Sequence, residues 1–168
     1  MRDLAELLNE MRDAGVITNY ALFGAMAQMR YTEPVATLDA DVLVALPDSG
    51  LNLLHPIYEF CQSRGYPVEG EAIRVGVWPV QFIPAFNALT REALEHAETA
   101  DFDGIPFRVV DAAHLAVIAL SVGRGKDYAR ILALLESDAG TREEIAAIAA
   151  RHDLAESWTR FVRRFLDE

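Results

Sequence analysis

Two periodicities of apolar residues alternate along the first part of the chain. Apolar positions over residues 4–11 recur with helical spacing, and Gly15 ends that predicted helix. Residues 20–23 form a short apolar run that predicts a buried strand, and residues 25–29 predict the first turns of a second helix. Residues 38–46 alternate and then become continuously apolar, as expected of an internal strand. The pattern therefore predicts strand, glycine turn, helix and strand in that order.

The same two periodicities continue through the rest of the chain. A turn over residues 47–50 precedes a predicted helix over residues 51–64. Strands are predicted over residues 72–77, 80–83 and 106–110, with Trp78-Pro79 between the first two; a helix is predicted over residues 90–97 and a turn over residues 101–104. Later segments are helical, over residues 112–122, 126–135, 143–150 and 154–166. Capping boxes are predicted at Thr141 with Glu144 and at Asp153 with Glu156.

Strands in the first part and helices in the last predict an α/β (α+β) fold with a mixed central sheet flanked by helices. No internal repeat and no Ser/Gly/Pro-rich linker divides the chain. We expect one domain over residues 1–138 and a C-terminal helical segment over residues 139–168 packed on it. Ala139-Gly140 is the predicted hinge between the two.

Composition fits a folded globular chain, since 52% of its 168 residues are hydrophobic. Its longest apolar run, around residues 115–120, is far shorter than the ~20 residues of a membrane-spanning helix, so we expect no membrane span. The first residues lead directly into an amphipathic helix, which predicts a cytoplasmic location. Cys61 is the only cysteine, which excludes an internal disulfide and a thiolate metal cluster within one chain; we expect it to be a small buried residue.

The charge balance limits the classes of partner. A formal charge of −11 argues against a protein whose main work is coating nucleic acid, because that affinity comes largely from Lys and Arg neutralising phosphates. A local basic pocket is compatible with this charge. Of the 15 basic residues, 14 are arginine and one is lysine, Lys126. We therefore treat Lys126 as a candidate phosphate ligand, with a solvated helix face as the competing interpretation.

Asp39 and Asp41 lie two residues apart at the start of the predicted strand over residues 38–46, so their side chains point the same way. Two carboxylates in that arrangement can hold one divalent cation, and magnesium prefers oxygen ligands. A spacer of 13 residues separates this pair from Gly24-Ala25. Glycine at the start of a helix allows phosphate oxygens to approach backbone N–H groups.

The order of these motifs resembles the nucleotidyltransferase superfamily of the DNA polymerase β type. More specifically, the chain is similar to small proteins related to AbiEii-type toxin nucleotidyltransferases and to minimal antitoxin nucleotidyltransferases. Arg30 and Thr37 stand where that group has an arginine and a Ser/Thr before the paired acids. Lys126-Asp127 matches a lysine-aspartate pair on a later helix. The resemblance extends over roughly residues 4–135 and implies a nucleotidyltransferase fold.

The resemblance also implies roles for individual residues. Asp39 and Asp41 would hold Mg²⁺, and Gly24 and Ala25 would approach the triphosphate. Lys126, with Arg30 or Arg124 in support, would neutralise the phosphates, and Thr37 would lie in the nucleotide site. Asp127 has three interpretations: a partner that orients Lys126, a base, or an acid at a helix start near the dipole.

Two positions depart from the family pattern. Ala25 replaces glycine or serine, which removes one hydroxyl contact to phosphate but keeps the backbone donors. Gln81 occupies the position that best matches the family's third carboxylate, and a neutral glutamine cannot accept a proton from an attacking hydroxyl. Asp127, Glu69 and Glu71 are candidates to replace that base.

The leading hypothesis is therefore a protein that binds a Mg-nucleoside triphosphate and transfers a nucleotidyl group to an unidentified acceptor, which could be RNA, protein or a small molecule. Candidate partners are tRNA, a partner protein or a second copy of the chain. The alternative, motivated by Gln81, is a catalytically degenerate binding partner such as a toxin–antitoxin component. A third interpretation is a structural oligomer in which the two aspartates lie on a solvated strand edge.

Overall fold

The predicted alternation of strands and helices is present in the computed structural model, which describes residues 1–47 and 53–167. The strands are β1 (Asn19–Phe23), β2 (Ala40–Ala45), β3 (Val68–Glu69), β4 (Ala72–Val75), β5 (Trp78–Pro84), β6 (Glu98–Phe102) and β7 (Ile105–Val109). The helices are α1 (Arg2–Asp13), α2 (Gly24–Gln28), α3 (His55–Ser63), α4 (Ala88–Glu95), α5 (Ala112–Val122), α6 (Gly125–Glu136), α7 (Arg142–Arg151) and α8 (Ala155–Phe165).

Within the described residues, the seven strands form one mixed sheet in the order β3-β4-β5-β2-β1-β7-β6. β2 pairs with β1 in antiparallel and with β5 in parallel orientation, and β1 pairs in parallel with β7. The remaining neighbours, β3 with β4, β4 with β5 and β6 with β7, are antiparallel. Helices α1 and α4 contact the central strands. The predicted α+β class with a mixed, helix-flanked sheet is confirmed.

The described chain forms two compact units. The first contains Met1–Ala27 and Val35–Val110, which include the whole sheet. The second contains Gln28–Pro34 and Asp111–Glu168, and within it α5 is contacted by α6, α7 and α8. The boundary that the sequence predicts after residue 138 lies inside the second unit.

The core of the first unit follows the apolar patterns of the sequence. The apolar stripe of α1, from Leu4 to Met11, is buried, because every third or fourth position faces the sheet. Val42, Leu43 and Val44 at the centre of β2 are at most 1% exposed. Cys61 on α3 is fully buried as predicted, and burial raises the pKa of its thiol to about 11.

Two strand boundaries differ from the prediction. Trp78-Pro79 is not a turn between strands, because both residues belong to β5 and the turn falls at Gly76-Val77. Pro79 is tolerated there because the pairing with β2 begins only at Val80, so no bond to β2 is lost at residue 79. The apolar pattern of the sequence does not predict β3 or β6. The hairpin that joins β6 to β7 turns at Asp103-Gly104, where both φ angles are positive, as two-residue hairpin turns require.

The helices that follow residue 111 match the prediction closely. The capping box at Thr141 and Glu144 is confirmed by hydrogen bonds in both directions. The capping box predicted at Asp153 and Glu156 is wrong, because Asp153 adopts a left-handed backbone with φ of 59° and Leu154 precedes the helix. Asp48, Ser49 and Gly50 of the predicted turn, and the predicted start of the next helix at Leu51, lie outside the described residues. None of the described helices combines the length and apolar character that crossing a bilayer requires.

Candidate functional site

Asp39 and Asp41 lie at the beginning of β2, the strand between β5 and β1. Asp39 directly precedes the strand and Asp41 is its second residue. Both side chains are partly exposed, and Leu38, beside Asp39, is 89% exposed. The pair therefore borders solvent at the end of a strand whose middle is buried. This position is not on an edge strand, which counts against the interpretation as a solvated sheet edge.

Gly24 lies against the side chain of Asp41. Its neighbour Phe23 is the antiparallel partner of Asp41, so the chain leaves β1 directly beside the carboxylate. Gly24 has φ of 70°, and a Cβ atom added there would lie 2.5 Å from Asp41 Oδ2. Real Cβ atoms do not approach an oxygen that closely, so the residue needs glycine for both its backbone angle and its missing side chain. The glycine turn and Asp41 therefore meet within the first unit.

Gln81 is the direct neighbour of Asp41 on the other side of the strand. β2 and β5 run in parallel, and their register pairs Asp41 with Gln81. Paired residues of adjacent strands project from the same face of a sheet, so the amide lies on the face that carries the Asp41 carboxylate. The residue that stands next to Asp41 on β5 is thus neutral.

Thr37 and Ala25 flank this group within the first unit. The Thr37 hydroxyl lies 3.0 Å from the backbone oxygen of Asp39 and 3.2 Å from its Oδ1. Thr37 thus contacts one of the two aspartates, a contact that the sequence analysis did not predict. Ala25 follows Gly24 in α2 and is partly exposed.

The predicted cationic residues belong to the second unit, where Arg124 and Asp127 are joined. Asp127 is 1% exposed, and its carboxylate accepts hydrogen bonds from the backbone N–H of Arg124 at 3.1 Å and from Arg124 Nε at 2.7 Å. Arg130 Nη1 lies 3.8 Å from the other carboxylate oxygen. Burial alone would raise the pKa of Asp127, but the Arg124 hydrogen bonds and charge outweigh it and lower that pKa. This is the geometry of an acid at a helix start.

Replacing Asp127 by Asn should lower the stability of the protein at neutral pH by about 1–2 kcal/mol, the range of a lost helix cap. Because the folded-state pKa lies below the ordinary value of 3.8, the stabilisation is present above that pH and disappears as the pH falls through the folded value. Urea unfolding of both proteins from pH 7 to pH 3 measures this. Glu156→Gln, which removes an exposed ion pair with Arg160, is the control and should change little. If the difference in free energy of unfolding between the two proteins stays constant down to pH 3, the ionised Asp127 carboxylate does not stabilise the helix start.

Lys126 and Arg30 are both exposed residues of the second unit. Among the residues that the structure describes, none forms a hydrogen bond or ion pair with the Lys126 ammonium, and the residue is exposed to solvent. The guanidinium of Arg30 lies 5.7 Å from the ring centre of Tyr31. Glu69 is another candidate base. Its carboxylate accepts hydrogen bonds from Arg74 Nε at 2.7 Å and from Arg74 Nη2 at 2.6 Å, and these bonds lower the pKa of Glu69.

The first-unit residues fit a hard divalent cation. Their donors are carboxylate oxygens, which magnesium prefers, and they border solvent, so waters and phosphate oxygens could complete the coordination. A Cβ at residue 24 would lie 2.5 Å from Asp41 Oδ2, so a side chain at that position would occupy the space beside this oxygen. Asp39 and Asp41 would be the protein ligands.

Comparison with known proteins relates this architecture to nucleotidyltransferases. No protein-family model and no curated protein sequence matches the chain. Among solved structures, an antigenic nucleotidyltransferase-like protein from Paracoccidioides brasiliensis is similar, with 12% identity, a TM-score of 0.57, and coverage of 94% of this chain and 93% of that one. The chain is also similar to the antibiotic-resistance factor ANT(2'')-Ia in solution, with 13% identity, a TM-score of 0.54, and coverage of 96% and 95%.

A crystal structure of ANT(2'')-Ia with adenylyl-2''-tobramycin gives 12% identity, a TM-score of 0.50, and coverage of 96% and 97%. The similarity extends over nearly the whole length of all three chains. The protein therefore has a nucleotidyltransferase-like fold, as the sequence motifs predicted. At such low identity the similarity establishes the fold, and the more specific resemblance to AbiEii-type proteins stays a prediction.

Proposed function

We propose that this chain binds a Mg-nucleoside triphosphate and transfers its nucleotidyl group to an acceptor. The observation that carries the proposal is the contact between Gly24 and Asp41 at the start of a central strand, in a nucleotidyltransferase-like fold. Partly exposed carboxylates beside a glycine turn offer both metal ligands and a close backbone approach for phosphates. The sequence predicted no other cluster of residues in the first unit that combines metal ligands with a close backbone approach for phosphates.

Each residue of this group has a proposed task. Asp39 and Asp41 hold the cation, and Thr37 fixes the orientation of the Asp39 carboxylate through its hydroxyl. The backbone at Gly24 and Ala25 approaches the phosphates; because α2 has only five residues, the local N–H groups matter more than a helix dipole. A bound magnesium ion would neutralise the charge that develops on the phosphate oxygens during transfer.

The acceptor is the least defined part of the proposal. One structural neighbour was solved with adenylyl-2''-tobramycin, a nucleotidylated small molecule, which supports testing small molecules as acceptors. RNA, including tRNA, and a protein chain are the other candidates from the sequence. The net charge of −11 favours an acceptor that is not itself a long polyanion.

Nucleotide binding should depend on magnesium. Isothermal titration calorimetry with ATP, CTP, GTP and UTP, each in excess Mg²⁺ and again in excess EDTA, measures the affinity of the protein with and without the cation. We expect binding of at least one nucleotide in Mg²⁺ and a loss of at least 10-fold in affinity with EDTA, because two carboxylates repel an uncompensated triphosphate. Equal affinity in both buffers would contradict the proposed role of the aspartates.

Lys126 remains a prediction from the sequence, to be tested separately. If its ammonium contacts a phosphate, Lys126→Ala should weaken Mg-nucleotide binding by about 3–10-fold, the order expected for one exposed charge-assisted hydrogen bond. Arg142→Ala removes an exposed cation of the same unit and is the matched control. Unchanged calorimetric affinity in Lys126→Ala would assign the lysine to a solvated helix face.

The alternative is a catalytically degenerate protein that uses the fold to bind a partner, for example in a toxin–antitoxin pair. Gln81 beside Asp41 motivates it, because the third carboxylate of the family is then absent from β5. Incubation with each α-³²P-labelled triphosphate, Mg²⁺ and total tRNA or cell lysate separates the two functions. Transfer of label supports the enzyme. Magnesium-dependent binding without any transfer supports the binding partner.

A further inference from the structure

We propose that Gln81 limits the candidate site to a single divalent cation and withholds the base that a water or hydroxyl acceptor needs. This inference rests on the proposed function, since it concerns the same aspartates. The site would then bind a Mg-nucleoside triphosphate without hydrolysing it. It would transfer the nucleotidyl group only to an acceptor that brings an ionised oxygen or supplies its own base.

Gln81 lies beside Asp41 on the same face of the sheet. Asp41 and Gln81 are register partners on adjacent parallel strands, so their side chains leave the same face of the sheet about one strand spacing apart. Gln81 is partly exposed, as Asp41 is. No strand lies between them, and a ligand bound to Asp41 on that face has Gln81 as its neighbour on β5.

The side chains of Asp39, Asp41 and Gln81 offer only two charged ligands to a cation. Two aspartates are the charged protein donors, and they suffice for one divalent cation whose other ligands are waters and triphosphate oxygens. A second cation held close to the first would be repelled by it, and two-cation sites in enzymes that act on phosphates place the ions only about 3.5–4 Å apart. A further carboxylate would offset that repulsion, whereas the Gln81 amide offers only a neutral carbonyl oxygen. The donor set therefore matches one ion.

Gln81 also cannot take the proton that an attacking water or hydroxyl group must release. When a water or hydroxyl oxygen attacks the α-phosphorus, the new P–O bond forms as the bond from the α-phosphorus to the bridging oxygen breaks. Pyrophosphate leaves, and the attacking oxygen must release a proton. A carboxylate at residue 81 could take that proton, but an amide cannot. Glu69, one of the candidate substitutes, is bound to Arg74 through both carboxylate oxygens.

The count of bound cations tests the proposal without an activity assay. Equilibrium dialysis against Mn²⁺, with a saturating non-hydrolysable triphosphate, should give one Mn²⁺ per chain for the natural protein and two for Gln81→Glu, which has nearly the same shape. Gln62→Glu adds the same charge at an exposed position of α3 and should remain at one. Two Mn²⁺ in the natural protein, or one in Gln81→Glu, would overturn the proposal.

Hydrolysis provides the second readout. The natural protein should release little nucleoside monophosphate and pyrophosphate, and Gln81→Glu should release them about 100-fold faster, the order that a positioned general base supplies. Equal rates in the two proteins would overturn the proposal. Failure of the proposed function gives a different result. The natural protein would then bind no Mn²⁺ in the presence of nucleotide, and Asp41→Asn would not change that result. This outcome would show that the aspartates form no cation site.

Discussion

Asp41→Asn is expected to remove Mg-dependent nucleotide binding, with a loss of at least 100-fold in affinity. The substitution keeps the shape of the side chain but removes one of the two charges proposed to hold the cation. Asp41 is also the residue that contacts Gly24 and pairs with Gln81, so its carboxylate lies at the centre of the proposed site. Isothermal titration calorimetry with Mg-nucleotide measures the affinity.

The fold should survive this substitution. The side chain of Asp41 is partly exposed, and its buried neighbours Ala40 and Val42 point to the opposite face of β2. Thermal unfolding of Asp41→Asn without nucleotide should therefore differ from that of the natural protein by only a few degrees. Glu95→Gln, an exposed acid on α4, is the control for a change in net charge. If Asp41→Asn binds Mg-nucleotide as the natural protein does, the aspartate pair is not the metal site.

Gly24→Ala is the second substitution with a large expected effect. Its Cβ would lie 2.5 Å from Asp41 Oδ2, so the carboxylate must move, and the positive φ adds a backbone cost of about 1–2 kcal/mol. We expect lower stability and at least a 10-fold loss of Mg-nucleotide affinity. Urea unfolding and calorimetry measure the two effects separately.

Gly15→Ala separates the effect of backbone strain from the effect of the contact with Asp41. Gly15 has φ of 73°, nearly the angle of Gly24, but an added Cβ there meets no atom within 4 Å. This control should lose a similar free energy of unfolding from backbone strain and keep its nucleotide affinity. If both variants bind Mg-nucleotide equally well, the contact between Gly24 and Asp41 has no role in the site.

The sequence predicted the central part of the fold because that part depends on local patterns. The apolar run after Asp41 predicts a buried strand, and β2 is a central strand of the sheet. Elements with weak local patterns were missed. β3 has two exposed residues, and β6 buries only Ala100, so neither has an apolar run. The Asp103-Gly104 pair was the available signal for β6, because Asp-Gly between two short runs favours a hairpin turn.

The candidate site was predictable in its parts but not in its internal contacts. Spacing indicates that Asp39 and Asp41 share a face, and this follows from the alternation of a strand. The neighbours of Asp41 on β1 and β5 depend on strand register, which is set by pairing between distant segments. The pairing of Asp127 with Arg124 has a different cause, because it depends on the local geometry of the helix start.

The most direct test of the central claim is an anomalous-difference map from crystals grown with Mn²⁺ and a non-hydrolysable nucleoside triphosphate. The account predicts one strong peak within about 2.2 Å of carboxylate oxygens of both Asp39 and Asp41, close to the distances of hard-cation sites. It also predicts triphosphate density beside Gly24. A manganese peak that contacts neither aspartate, with the nucleotide bound elsewhere, would contradict it.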